Sequence, residues 1–172
     1  MRTKVINFFG GPDSGKSATA ALLYGALVAR GFSADLIHTS NAYKDCLLPS
    51  SYWHVAEQRH LLEGVARHAD IVVCDAPMLQ SLAYYDTPGE DARLLATEGY
   101  AQFDCTNILV RSYSPVAQHS DFDYWVDSLV ARIKQLIAEE LENSYLEVLT
   151  NPDISITMET ILRYLSGRGV IL

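Results

Sequence analysis

The chain has 172 residues, 49% of them hydrophobic and 20% charged. That excludes a disordered or low-complexity polypeptide and suffices for a single domain, 1–172, with a sizeable core. Its formal net charge of −8 at pH 7 disfavours a surface that holds nucleic acid by general electrostatics, leaving only a local basic strip for that purpose.

The first element read along the chain is a strand, because Lys4 to Phe9 (KVINFF) is an apolar, β-favouring run. Gly10 to Ser17 follow as GGPDSGKS, a full match to G-x-x-x-x-G-K-[ST], and Ala18 to Arg30 is a helix former closed by Gly31. In a strand–loop–helix context this pattern surrounds phosphates with backbone N–H groups and a helix N-terminus, so Gly10, Gly11, Pro12, Asp13, Ser14, Gly15, Lys16, Ser17 and Ala18 are the expected nucleotide-binding residues. Lys16 supplies a point charge to the outer phosphates, and Ser17 offers its hydroxyl to Mg2+. Gly10 and Gly15 permit close backbone approach. Asp13 is discordant, since a negative side chain opposes the ligand's charge unless it points away.

Ala34 to Thr39 (ADLIHT) reads as a second strand, and Ser40 to Ser51 as a polar loop carrying Asn41, Tyr43, Lys44 and Asp45. Tyr52 to Ala69 has helical apolar spacing at Trp53, Val55, Ala56, Leu61, Leu62, Val65 and Ala66. It leads into Ile71 to Asp75, a buried strand ending in a carboxylate. Asn107 to Val110 is a fourth strand, and Ser120 with Asp123 resembles a capping box opening a helix through Glu142, with an apolar face from Trp125 to Ile137. Two apolar runs, Leu146 to Leu149 and Ile154 to Ile156, compete for a last strand before a helix over Met158 to Leu165. The alternation predicts an α/β fold: three layers, with a mostly parallel five-stranded sheet flanked by helices and ligands gathered at the strand carboxyl ends. No apolar run approaches the roughly 20 residues that span a bilayer, and the run after Arg2 and Lys4 is too short for a signal peptide. Cys46, Cys74 and Cys105 are odd in number and lack metal-ligand spacing. A cytoplasmic protein with reduced thiols and no membrane partner is expected.

Asp75 stands where phosphate-loop enzymes place a carboxylate for Mg2+ or for the acceptor hydroxyl, although an aspartate opening the Asp75-Ala76-Pro77 turn would look the same. Asp45, beside Lys44, is the other candidate base, against a solvated Lys–Asp pair. Arg111 is the cation available to neutralise charge on a transferred phosphoryl, followed by Ser112, Tyr113 and His119. Glu57 and Gln58 could hydrogen-bond an acceptor. Trp53, Tyr84 and Tyr85 could stack on a base, though such aromatic residues are more often core.

These residues resemble the phage-encoded P-loop kinases that include the 5-hydroxymethyluracil DNA kinases, over about the first 115 positions. VINFFGGPDSGKSATAALLYGAL, NAYKD at Asn41 to Asp45, the Glu57-Gln58 pair and DAPMLQSLAYY at Asp75 to Tyr85 carry the resemblance. It implies an ATP-dependent, Mg2+-dependent kinase that phosphorylates a hydroxyl of a nucleobase or nucleoside, with 5-hydroxymethyluracil in phage DNA as the acceptor. Two departures stand out. Family members tend to carry Glu where Asn41 stands, which moves the base's duty to Asp45 or Asp75. The lid, expected around 112–123, holds no arginine after Arg111, where the family has a glycine-arginine segment. A kinase of a free nucleoside or nucleotide, and a non-catalytic nucleotide-binding switch, remain as alternatives.

Overall fold

A computed structural model describes residues 2–38, 50–75, 77–85, 87–112, 121–141, 145–151 and 153–171. The elements in chain order are β1 (Lys4–Phe9), α1 (Lys16–Ala29), β2 (Ala34–Ile37), α2 (Ser51–Val65), β3 (Ile71–Cys74), α3 (Met78–Ala83), α4 (Glu90–Ala101), β4 (Asp104–Ser112), α5 (Asp121–Leu141), β5 (Tyr145–Thr150) and α6 (Ile154–Gly167). The five strands form one sheet in the order β2-β3-β1-β4-β5, and every neighbouring pair is parallel. All carboxyl ends therefore lie along one edge.

The central strand β1 is buried on both faces, as a parallel sheet covered by helices requires. Its alternate side chains feed two cores. Val5 and Phe9 pack with Val55 and Leu62 of α2, Leu79 of α3, Ala96 of α4, and Leu129 and Ile133 of α5. Ile6 and Phe8 pack with Leu23 and Leu27 of α1 and with Ile161 and Leu165 of α6. The expected three-layer architecture is the observed one.

Several expected boundaries move. Two helices, α3 and α4, occupy a stretch that the sequence reading left unassigned. β4 begins at Asp104 rather than Asn107, because Lys4 of β1 supplies a partner that far back. The last strand is the Leu146 to Leu149 candidate, paired to β4, whereas Ile154 to Ile156 form the first turn of α6, where the Asp153 carboxylate accepts the Ser155 N–H at 3.0 Å. Helix α2 ends at Val65 rather than Ala69, and two of its expected core residues, Trp53 and Leu61, are exposed. The proposed cap at Ser120 lies outside the described residues, as do Asn41, Tyr43, Lys44, Asp45, Cys46 and His119 and most of the expected lid. Among the described residues no helix is long and apolar enough to cross a membrane.

Candidate active site

The loop Gly10 to Gly15 joins β1 to α1 through a tight path that a side chain would obstruct. A Cβ at Gly10 would lie 2.6 Å from the Val110 carbonyl oxygen, and one at Gly15, where φ is +81°, would meet Thr150 at 2.8 Å. Asp13 also has positive φ, +57°, a region that aspartate tolerates better than most residues. Its side chain is exposed. Helix α1 starts with no side-chain cap, so the N–H groups of its first turn are left to a ligand at the loop. The Ser14 hydroxyl is buried with no hydrogen-bond partner among the described residues. A helix N-terminus without a side-chain cap, beside an orphan hydroxyl, is an environment that an anion of phosphate type fits.

Lys16, the first residue of α1, reaches across to the end of β3. Its ammonium donates to the Asp75 backbone oxygen at 2.7 Å and to Asp75 Oδ1 at 2.5 Å. Asp75 is 2% exposed, and its other oxygen accepts from His38 Nδ1 at 2.7 Å. Because an ionised carboxylate only accepts, the imidazole provides the proton of that bond. The sequence reading missed His38. Its placement follows from register: Ile37 pairs with Cys74 across β2 and β3, so the residues that immediately follow the two strands, His38 and Asp75, meet at the sheet edge.

A second residue missed from sequence is Gln80 of α3, also buried. Its Oε1 accepts the Gly10 N–H at 3.1 Å, and its Nε2 donates to the Gly10 carbonyl at 3.1 Å and to the Tyr84 hydroxyl at 3.2 Å. One amide thus ties the start of the phosphate loop to the helix after Asp75. The Tyr84 ring is 47% exposed while its hydroxyl is tucked against Gln80. Burial pushes that phenol above its usual range, the Gln80 bond acts against the shift, and the Asp75 charge adds to it. Nearby, the Tyr85 hydroxyl and His54 Nδ1 are 2.8 Å apart. Burial lowers the His54 pKa, with the Glu57 charge opposing.

Of the remaining candidates, Trp53 is 59% exposed at the start of α2, with its ring edge-on to Tyr52. The core role favoured for it from sequence does not hold. Gln58 is buried, its Oε1 without a partner among the described residues. Arg111, the penultimate residue of β4, lies beside a cleft shared with Gly11, Pro12, Ser14, Val126 and Asp127, and its guanidinium bonds Glu147 of β5 at 3.1 Å. Lys134 of α5 bonds the same carboxylate at 2.8 Å. The Lys134 bond, foremost, holds the Glu147 carboxyl below the usual carboxylate range.

Mg2+ in such sites needs only one or two protein oxygens beside the phosphates and waters. Ser17, exposed on the first turn of α1, and the Asp75 carboxylate that its neighbour Lys16 contacts carry oxygens of that kind.

No protein-family model and no curated protein matches the chain. Solved structures do. The thymidylate kinase of Ehrlichia chaffeensis is 16% identical and superposes with a TM-score of 0.62 over 96% of this chain and 100% of that one. The fold is that of the P-loop kinases. The thymidylate kinase of Candida albicans, 16% identical, covers 98% of this chain and 93% of its own with a TM-score of 0.58. APS kinase CysC of Mycobacterium tuberculosis in complex with AMPPNP and APS, 20% identical, gives 0.58 over 96% and 98%. The likeness spans nearly the whole chain.

Proposed function

We propose that the protein is an ATP-dependent, Mg2+-dependent kinase that transfers phosphate to a hydroxyl of a nucleobase or nucleoside. The observation that carries this reading is the convergence of Lys16, Asp75 and His38 beside an uncapped helix N-terminus at the carboxyl edge of the sheet. The loop N–H groups and Lys16 bind the outer phosphates, Ser17 offers its hydroxyl to the metal, and Asp75 serves either the metal or the acceptor proton. Asp45 is the alternative base. The bound Mg2+ would supply neutralisation of the charge on the transferring phosphoryl. Arg111 adds positive charge beside the loop once it leaves Glu147, an exposed pair that holds it weakly. The names of the structural neighbours, thymidylate kinase and APS kinase, support a small phosphorylated acceptor.

Two acceptors have separate support. The resemblance of residues 75–85 and of the phosphate loop supports 5-hydroxymethyluracil in phage DNA, and exposed Trp53 and Tyr84 offer faces for an extruded base. The net charge of −8 favours a free nucleoside or nucleotide, since duplex DNA is held mainly through phosphate contacts. Labelled ATP is offered with hydroxymethyluracil-containing duplex and single strands, free hydroxymethyldeoxyuridine, its monophosphate and ordinary nucleosides. Label on DNA at low salt supports the first acceptor. Label confined to free nucleoside or monophosphate replaces it with the second.

A further inference from the structure

We propose that His38 is the residue that lets Lys16 pass from Asp75 to the phosphates of a bound nucleotide. This rests on the nucleotide-binding reading above. In the structure the Lys16 ammonium directs two bonds at Asp75, one to the backbone oxygen and one to Oδ1. An ammonium has three protons, so while it keeps both contacts only one is left for an incoming polyphosphate. Its departure would strip a carboxylate that is 2% exposed of its positive partner, and an uncompensated buried charge is strongly unfavourable.

His38 lessens that cost. It immediately follows the neighbouring strand, held beside Asp75 by the β2–β3 register, and bonds Oδ2, the oxygen Lys16 does not use. The two partners therefore do not compete for one atom. When Lys16 leaves, Oδ2 keeps its donor and Oδ1 alone becomes available, turned toward the phosphate loop for the metal or the acceptor hydroxyl. An Nδ1–H serves in either protonation form of the ring, so the device is one of geometry. His38 is thus a positioning residue acting through Asp75 and Lys16. The accessible side of its ring, 52% exposed, makes substitution there compatible with folding.

The test is equilibrium binding of ATP to the full chain in metal-free buffer with chelator, which reads Lys16 without metal or acceptor chemistry. His38→Phe, which keeps a ring but no donor, is expected to weaken ATP affinity about tenfold, the worth of one hydrogen bond to a charged group. His38→Asn, which restores an N–H donor at similar reach, should return affinity to within about threefold of the parent. Asp75→Asn releases Lys16 and should tighten ATP binding, and in that background His38→Phe should have no further effect. Thermal unfolding verifies that each variant is folded, with His38→Ala as the second donor-free variant. Equal ATP affinity for parent and His38→Phe, or the same loss in the Asp75→Asn background, overturns the inference alone. A parent chain that binds no ATP with or without Mg2+ overturns the nucleotide reading and this inference with it.

Discussion

Two stretches of the same sheet edge hold their charges in opposite ways. Between β1, β2 and β3, the Asp75 carboxylate is buried with Lys16 and His38 on separate oxygens, and Gln80 locks the neighbouring Gly10 backbone. At the outer end, Arg111 and Lys134 share Glu147 where all three side chains are partly open to solvent. Losing one partner of a buried pair costs about 3–5 kcal/mol, whereas an exposed pair is worth about 0–1 kcal/mol. The inner stretch is therefore fixed before any ligand arrives, and the outer one is free to rearrange around it. A charge at a strand's carboxyl end is not enough to define a site; its burial and its neighbours' register decide what it can do.

The strongest way to break this contrast is Asp75→Asn. Turnover should fall by roughly 10²–10⁴-fold, the usual worth of a positioned proton acceptor, while ATP still binds. Steady-state transfer beside ATP binding measures the split, and unchanged turnover would reduce Asp75 to a turn residue. Lys16→Ala comes next, with transfer down by roughly 10²–10³-fold through loss of one preorganised donor to developing charge. A cooperative thermal transition should persist, because Lys16 belongs to neither apolar core, but at a lower Tm, since the buried Asp75 carboxylate loses a partner.

Gln80→Leu probes the inner stretch through stability. It removes both side-chain bonds to Gly10, and the loss of about 2–4 kcal/mol should appear as a Tm lower by roughly 5–15 °C. A Tm shift under a degree would mean that the loop does not depend on this amide. The outer stretch gives the smallest effects. Arg111→Ala should lower transfer about tenfold if the guanidinium reaches the phosphates. Glu147→Gln, which loosens Arg111, should leave transfer unchanged or raised by up to about threefold. A larger loss from Glu147→Gln than from Arg111→Ala would invert the comparison.

The sequence made the phosphate loop, its strand and its helix legible because that motif is local: eight consecutive residues carry their own chemistry. Asp75 was legible for the same reason, as the polar end of an apolar strand. His38 was not, since its partner lies 37 residues away and only the β2–β3 register brings them together. Gln80 was equally hidden, one of two polar residues in a six-residue helix too short to show periodicity. Helix α4 escaped because its buried stripe is Ala92, Ala96, Gly99 and Tyr100, three small residues and one tyrosine that give little hydrophobic signal despite helical spacing. The choice between the last two apolar runs turned on Asp153, whose capping bond starts a helix just before Ile154. Arg111 could be placed just after its strand from sequence, whereas β4 runs on to Ser112; it could not be paired with Glu147 of β5, a strand whose position was itself undecided.

The most direct test of the account is a single-turnover experiment with γ-labelled ATP, Mg2+ and the acceptor panel, comparing the parent chain with Asp75→Asn at saturating nucleotide. The account predicts label on a nucleobase or nucleoside hydroxyl with the parent, and bound but untransferred ATP with the variant. ATP bound by both and transferred by neither, to any acceptor in the panel, would contradict it and leave a nucleotide-binding switch in its place.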